Sequence, residues 1–570
     1  MPRTLSMSQP STEMLEGVEP ETQPPRRPPR RARVIAGRVL TAVCGLLILF
    51  VLVLPGEIAE LTPAGFLRIP LDGILALALV LLLPPRGRRI AVIAVGVLLG
   101  LLAVVKIVSL GFSAVLDRPF DPVLDWPFLE AGLNYIRLSS GAATAIAAAA
   151  GGAIVAVGVL VMMVMAIRRV SRAAAAHRTV AGRALLPVAA VWVVVAIAGT
   201  QLVAGTPVAS HDAYDQVRQV GAGLADRKAF AAEAAADAYR NTPPDQLLTA
   251  LRGKNVMIAL IESYGRVAFD DPAIAARIDP LLASGYAHLK ALGYDARSGW
   301  LVSPTAGGGS WLAQSTLMSG VWIDNQQRYR QLVASDRLTL NGAFRRASWR
   351  TVAVMPATVA AWPEGSFFGL DRVYAARDLQ YKGAGYAFNM MPDQYTLSAF
   401  QRLEMTPSSS SGGPPVMAEI PLISSHSPWE PVPRFVPWDT VGDGSVFTSV
   451  PGNGDPADIV LRRDRDRVRA DYATAVSYSL STLLSYVETY GDDDLVMVFL
   501  GDHQPSTVVS GVGAGREVPI TILARDPAVL SRVASWAWEP GLRPGPSAPV
   551  WRMDAFRDRF LSAFGSTPSR

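Results

Sequence analysis

The sequence predicts a two-part molecule: an α-helical membrane region of about five spans, then an α/β domain built on a mostly parallel central sheet. Three observations predict it. Half of the 570 residues are hydrophobic, only 18% are charged and the mean hydropathy is +0.26, too apolar for an ordinary soluble protein and too long for one domain. Apolar runs of spanning length stop at Val203. Beyond Ser210, short apolar runs of buried-strand type alternate with helix-period patterns.

Residues 1–33 are rich in Pro, Ser, Thr, Glu and Arg, with too few apolar groups to offset the entropy of ordering, and read as a disordered tail. The membrane region is placed at 34–205. Its apolar runs, Val39 to Leu54, Ile69 to Leu83, Ile90 to Phe112, Ala142 to Ile167 and Leu185 to Val203, each approach the length that crosses ~30 Å of hydrocarbon. Arg26, Arg27, Arg30, Arg31, Arg33 and Arg38 surround the start of the first run. Arg86, Arg88 and Arg89 lie between the second and third, and Arg168, Arg169, Arg172, Arg178 and Arg183 between the fourth and fifth. By the positive-inside rule the tail is cytoplasmic and everything after Val203 is extracytoplasmic, so the chain is expected as a multi-pass protein of the cell membrane. Asp72 and Lys106 lie in or beside these runs; two isolated charges do not make a transport path. The segment from Pro119 alternates aromatics and acids and reads as a surface-lying helix. A single cysteine, Cys44, excludes an intramolecular disulfide. The net charge of +5 reflects the basic clusters flanking apolar runs and points to no nucleic acid.

Residues 206–252 read as a linker carrying an Ala-rich helix, Asp226 to Arg240, broken by Thr242-Pro243-Pro244. The α/β domain is placed at 253–570. Asn255 to Ile261 is a continuous apolar strand. Tyr472, Val476, Leu480, Leu483, Leu484 and Val487 keep a helical period, and Asp494 to Leu500 and Val518 to Leu523 supply further strands. Thr406 to Pro415 reads as a flexible loop.

Two predicted strands deliver acidic groups at their ends: Glu262 after the first, and Gly501-Asp502-His503 after Leu500. Carboxylate oxygens and a neutral imidazole together suit a divalent ion. Bland readings exist for each: a helix-dipole partner for Glu262 and a surface turn for Asp502-His503. Ser310 follows three glycines and opens an apolar, helix-like stretch, which would aim free N–H groups at an anion such as phosphate; a loop with an N-cap serine is the alternative. His288 lies in a helical stretch without a partner motif and reads as structural.

These motifs resemble the alkaline phosphatase and sulfatase superfamily, and within it the membrane-anchored lipoteichoic acid synthase and phosphoglycerol transferase branch. NVMIALIESYG resembles the family's first strand with its metal-binding acid, SWLAQSTLMSG its nucleophile helix, and LGDHQP its second metal motif. The resemblance implies a sulfatase-like fold and one divalent metal ion, Mn²⁺ with Mg²⁺ or Zn²⁺ as alternatives, held by Glu262, Ser310, Asp502 and His503. Counting ten residues back from Gly320 gives Ser310 as nucleophile. Thr305 is the rival, because the synthases use threonine. It further implies that His426, in Leu422-Ile423-Ser424-Ser425-His426, reaches the substrate phosphate and that Trp362 lines a head-group pocket. The expected reaction moves phosphoglycerol from a membrane phospholipid donor to an envelope glycan or glycolipid acceptor through a phosphoserine. A phosphodiesterase or sulfatase-type hydrolase, and a catalytically silent membrane protein, are the alternatives. Two departures stand out. Pro363 and Glu364 replace the synthases' arginine, leaving Arg266 or Arg350 to supply a cation; the sulfatases' Cys-x-Pro-x-Arg signature is absent, and Glu262-Ser263 replaces their Asp pair.

Overall fold

The computed structural model describes residues 30–66, 83–122, 124–177, 179, 183, 226–359, 362–386, 391–406, 412–449, 452 and 463–566. The expected spans Ile69 to Leu83 and Leu185 to Val203 fall almost wholly outside them, as does Asp72. Among the described residues three helices are long and apolar enough to cross a membrane: α1 (Arg30–Val53), α2 (Pro85–Leu116) and α4 (Ala142–Ala176). Their outward faces expose Ile35, Leu46, Ile90, Leu98, Ile146 and Ile154, a surface suited to lipid rather than water. α2 and α4 approach closely because Gly96 and Gly100 carry no side chain: a Cβ on Gly96 would stand 2.7 Å from the Val164 Cα. Lys106 is buried and donates from Nζ to the Leu54 carbonyl at 2.6 Å, so it ties the end of α1 to α2. The segment after Pro119 forms α3 (Trp126–Ser140), a helix too short to span.

Among the described residues the α/β domain contains nine strands: β1 (Asn255–Ile261), β2 (Asp295–Val302), β3 (Arg350–Met355), β4 (Arg372–Ala375), β5 (Val416–Leu422), β6 (Leu495–Gly501), β7 (Glu517–Ala524), β8 (Glu539–Pro540) and β9 (Val550–Arg552). They form one sheet in the order β4-β3-β5-β1-β6-β7-β2-β8, with β9 also on β2. The block from β4 to β6 is parallel throughout, whereas β7 runs antiparallel to both β6 and β2. The expected mostly parallel sheet therefore holds for one half, and the whole sheet is mixed. The cause lies in the connection: a parallel return needs a crossover helix, and residues 502–516 hold only the four-residue helix Thr507–Ser510.

Every residue of β6, and all but the first of β1, is buried, as in strands covered on both faces. Met257, Ala259 and Ile261 face one core with α5 (Pro272–Ala291) and α8 (Arg465–Tyr490); Val256, Ile258 and Leu260 face the other with α6 (Ser310–Ser319), α7 (Gln326–Val333) and α9 (Ala555–Phe564). The linker helix is part of this second core. Residues 226–235 are helical, Phe230 and Ala234 are buried there, and Asp237 forms a fully buried ion pair with Arg557 at 2.6 Å.

Candidate active site

The strand register sets the site. Ile261 lies opposite both Leu422 and Gly501, so β1, β5 and β6 end level and release Glu262, the 423–426 segment and Asp502 side by side. This is the carboxyl edge of a parallel block, where α/β folds gather their chemistry. Ser263 then turns in the left-handed region (φ 58°), unusual for a residue with a side chain. That turn lets its N–H donate to Asp502 Oδ1 at 2.7 Å and its hydroxyl to Glu262 Oε1 at 2.8 Å. The His503 N–H donates to the same Asp502 oxygen at 2.7 Å.

Glu262, Asp502 and His503 are all buried, and one ligand-capable atom from each lies within 4.8 Å of the others. His503 Nδ1 meets the Gln504 carbonyl at 2.8 Å. The bond assigns the proton to Nδ1 and turns Nε2 toward the acids, 3.4 Å from Glu262 Oε1 and 3.6 Å from Asp502 Oδ2. Burial raises Asp502 to about 7, helped by the neighbouring Glu262 charge and opposed by His503. Burial also works against the ionised Glu262, but His503 and then His426 outweigh it and lower that acid to about 2. Burial works against a charged His503, yet Asp502 and Glu262 raise it. Among the described residues no lysine or arginine pairs with Glu262 or Asp502. Two buried carboxylates that no lysine or arginine neutralises among the described residues, beside an imidazole whose Nε2 faces them, are a donor set that fits a divalent cation.

Ser310 completes the cluster. Its hydroxyl donates to Glu262 Oε2 at 2.9 Å and lies 3.2 Å from His503 Nε2. It is the first residue of α6, and the cap before it, Gly309, offers no side chain to the helix's free N–H groups, which leaves them available to an anion. Gly307, Gly308 and Gly309 all have positive φ. At Gly307 the requirement is also steric, since a Cβ would fall 1.6 Å from the Val115 carbonyl oxygen at the end of α2. The loop is held to the segment that follows β6 by Gly307 N–H to Gln504 O at 2.8 Å and Ser303 Oγ to Asp502 O at 2.6 Å. Thr305 instead gives its hydroxyl to the Gly308 carbonyl and so braces the loop that presents Ser310.

His426 is half-buried, its Nδ1 on the Ser427 carbonyl at 2.7 Å, and near enough to Glu262 to lower that acid. The neighbouring Ser425 hydroxyl donates to the Glu262 carbonyl at 2.6 Å. Buried Asp393 accepts the N–H groups of Ile423 and Ser424 and the Ser479 hydroxyl, while Tyr472 donates to the Ser263 carbonyl at 2.9 Å. Sequence reasoning missed these supports. Tyr472 stood in a helical apolar pattern and signalled only core, and Asp393 had no motif around it.

Trp362 stacks on Phe368 with centroids 5.3 Å apart and lines a cavity of about 370 Å³ with Trp311, Gln314, Tyr329 and, from α3, Glu130 and Asn134. Phe128 of α3 packs on Trp311 at 5.1 Å, so the membrane-proximal helix forms a wall beside the nucleophile-like helix. Under Gln314 lies Glu419 of β5, buried and bonded to Gln314 and Asn341; burial pushes it to about 7. Two expected cations are elsewhere. Arg266 pairs with Asp270 at 3.1 Å and lies over Trp300, neither of which belongs to the cluster. Arg350 begins β3 at the opposite, amino edge of the sheet and forks onto Glu404 at 2.5 and 2.7 Å. His288 pairs with Glu488 on the surface.

No family model matches the chain, and no curated protein does. Among solved structures it is similar to the integral membrane protein lipooligosaccharide phosphoethanolamine transferase A (EptA) from Neisseria meningitidis, at 13% identity over 93% of this chain and 97% of that one, with a TM-score of 0.46. It is also similar to the lipoteichoic acid synthase LtaP from Listeria monocytogenes (14% identity, 56% and 74% covered, TM-score 0.36). A third is the Streptococcus pyogenes phosphoglycerol transferase GacH in complex with sn-glycerol-1-phosphate (12% identity, 61% and 91% covered, TM-score 0.34). These are proteins of the kind its motifs resemble.

Proposed function

We propose that this chain is a membrane-bound, metal-dependent phospho-alcohol transferase of the alkaline phosphatase and sulfatase type, moving phosphoglycerol from a phospholipid to an envelope glycan or glycolipid. One observation carries the reading. The Ser310 hydroxyl, at a helix N-terminus, touches both Glu262 and His503 inside a buried, cation-deficient acid cluster. A serine so placed fits a nucleophile better than a loop cap. Thr305 fits less well, because its hydroxyl is committed to Gly308.

Glu262, Asp502, His503 and Ser310 would hold the metal, Mn²⁺ in this reading. The ion, when bound, supplies Lewis-acid stabilisation of phosphoryl charge and a lower hydroxyl pKa. The remaining work belongs to the chain. Ser310 Oγ, its proton already directed at Glu262 Oε2, attacks the phosphorus of the donor phosphodiester. The P–O bond to the diacylglycerol oxygen breaks, and His426 protonates that oxygen as it leaves. The N–H groups at the start of α6 hold a phosphoryl oxygen. An acceptor hydroxyl then gives its proton to His426 and attacks the phosphoserine; the P–O bond to Ser310 breaks, and Ser310 Oγ recovers its proton from Glu262. The aromatic and amide-lined cavity beside Trp362 is of a size for a small polar head group. The tail lies in the cytoplasm and the α/β domain outside, where the envelope acceptor is found.

The test uses the full chain in vesicles with fluorescent phosphatidylglycerol and envelope glycan. Labelled diacylglycerol together with glycerophosphate on the glycan, and a glycerophosphoryl mass on the Ser310 peptide, are expected. Free glycerophosphate as the sole second product would make the protein a hydrolase, and an adduct on Thr305 would move the nucleophile.

A further inference from the structure

Arg337, which follows α7, is buried and pairs with no carboxylate among the described residues. Its side-chain bonds all go to main-chain carbonyls. Nε donates to Ser319 O at 2.5 Å and Nη2 to Gly320 O at 3.0 Å, the carbonyls that end α6. Nη1 is shared among the carbonyls of Glu233, Ala234 and Ala236, at 3.3, 3.4 and 2.9 Å, where the linker helix of residues 226–235 ends. One planar guanidinium thus closes the C-termini of two helices. The electrostatics agree, because each helix end carries roughly half a negative charge and two of them offset one buried cation without an acid.

A second contact converges on the same place. Asp237, just beyond the linker helix, accepts the Leu338 N–H through Oδ2 at 2.8 Å and holds Arg557 through Oδ1. Arg557 lies against the end of α6: a Cβ on Gly320, the left-handed residue (φ 66°) that caps the helix, would stand 2.8 Å from Arg557 Cδ. Linker residues 233–237 therefore meet α6 at its C-terminus, while Ser310 lies at its N-terminus. α6 has ten residues and is about 15 Å long. A tilt of about 4° at the clamped end carries Ser310 by about 1 Å, and a misplacement of about 1 Å can cost on the order of 10²-fold in rate.

We propose that Arg337 is a positioning residue: it clamps the linker helix to α6 and, through α6, holds Ser310 against Glu262 and His503. The segment that joins the membrane region to the α/β domain is then part of the frame that aims the nucleophile, and not a tether alone. The effect of the clamp on catalysis rests on the transferase reading, whereas the clamp itself does not.

Hydrogen exchange of the full-length protein in nanodiscs, read by mass spectrometry, tests the clamp, and transfer from phosphatidylglycerol to envelope glycan tests its consequence. Arg337→Gln is too short to reach both helix ends. It is expected to raise exchange at least about tenfold in peptides covering 230–236 and 313–320 together, with β1 and β6 unchanged, and to lower kcat about 10²-fold at constant KM. A merely structural role would raise exchange throughout the domain and leave kcat per folded molecule as it was. Arg337→Lys keeps the charge and the fold but brings one nitrogen to one helix end, so it should show the same pattern with about a tenfold loss of kcat; it carries the test if the Gln variant does not fold. Wild-type exchange in either segment, a rise spread over the whole domain, or an unchanged kcat beside loosened segments would overturn the proposal. Joint loosening of linker and α6 in variants of a chain whose wild type transfers nothing would preserve the clamp and defeat the transferase reading.

Discussion

The two edges of the central sheet treat charge in opposite ways. At the amino edge, acids and bases are matched: Lys254 lies 3.0 Å from Asp494 and 3.2 Å from Asp526, Arg525 pairs with Asp493, and Arg350 forks onto Glu404. At the carboxyl edge, Glu262 and Asp502 are buried with no lysine or arginine paired to them among the described residues, and an imidazole and a serine hydroxyl are their neighbours. Matched charge is compatible with a purely structural role. Unmatched buried charge is costly, and it persists where a ligand or metal completes it. The same strands thus build a closed electrostatic edge and an open one, and the open one is the candidate site.

Breaking the carboxyl edge should give the largest effects, on activity and not on folding. Ser310→Ala and Asp502→Asn are each expected to lower lipid-to-glycan transfer on the order of 10³-fold or more, with thermal unfolding in the absence of metal unchanged or improved for Asp502→Asn, which removes a buried charge. Chelation of the wild type should abolish transfer, and added Mn²⁺ should restore it; transfer that survives exhaustive chelation would remove the metal from the mechanism. Tyr472→Phe probes the support behind the edge. Losing its bond to the Ser263 carbonyl should weaken Mn²⁺ binding about tenfold, read by calorimetry, while the fold remains.

At the amino edge the expectation reverses. Glu404→Ala leaves Arg350 and the Tyr374 hydroxyl without their acceptor and should cost about 1–3 kcal/mol of stability, with transfer per folded molecule unchanged. Between the edges, Glu419 gives a pH signature. Its folded pKa of about 7 exceeds the ordinary 4.5, so between these values the folded state binds more protons than the unfolded one, and stability falls as pH rises from about 4.5 to 7. Glu419→Gln should flatten that slope in urea titrations at pH 5 and 7.5; an unchanged slope would assign it to other groups. The smallest effect belongs to Lys254→Met, whose partners Asp494 and Asp526 are partly exposed and whose loss should cost under about 1 kcal/mol.

Much of the candidate site was legible from local pattern. An apolar run that ends in an acid reports a buried strand and what it delivers, which is why Glu262 and Asp502-His503 could be paired across 240 residues of chain. Three glycines before Ser310 announced a loop at the head of a helix, and the structure has one, with positive φ at all three glycines. The cations were not legible. Arg350 looked available until β3 acquired a direction, which sent it to the amino edge, and Arg266 is held by an acid four residues on. The sheet's mixed character was equally hidden, because a strand reads the same in either direction and only the missing crossover helix before β7 sets its sense.

The sequence by itself determined the three described apolar helices, the buried strands and the side chains at their ends, because periodicity, length and side-chain type act over a few residues. Only the tertiary structure decided which of those ends meet. The level register of β1, β5 and β6 brings Glu262, His426 and Asp502 together, and a left-handed Ser263 aims its donors at both acids. α3 comes up from the membrane region, packs Phe128 on Trp311 and walls the cavity at Trp362 with Glu130 and Asn134. Each of these depends on contacts between residues far apart in the chain, and the physical reason they escape the sequence is that strand polarity, register and helix docking are settled by the shared core and not by any segment alone.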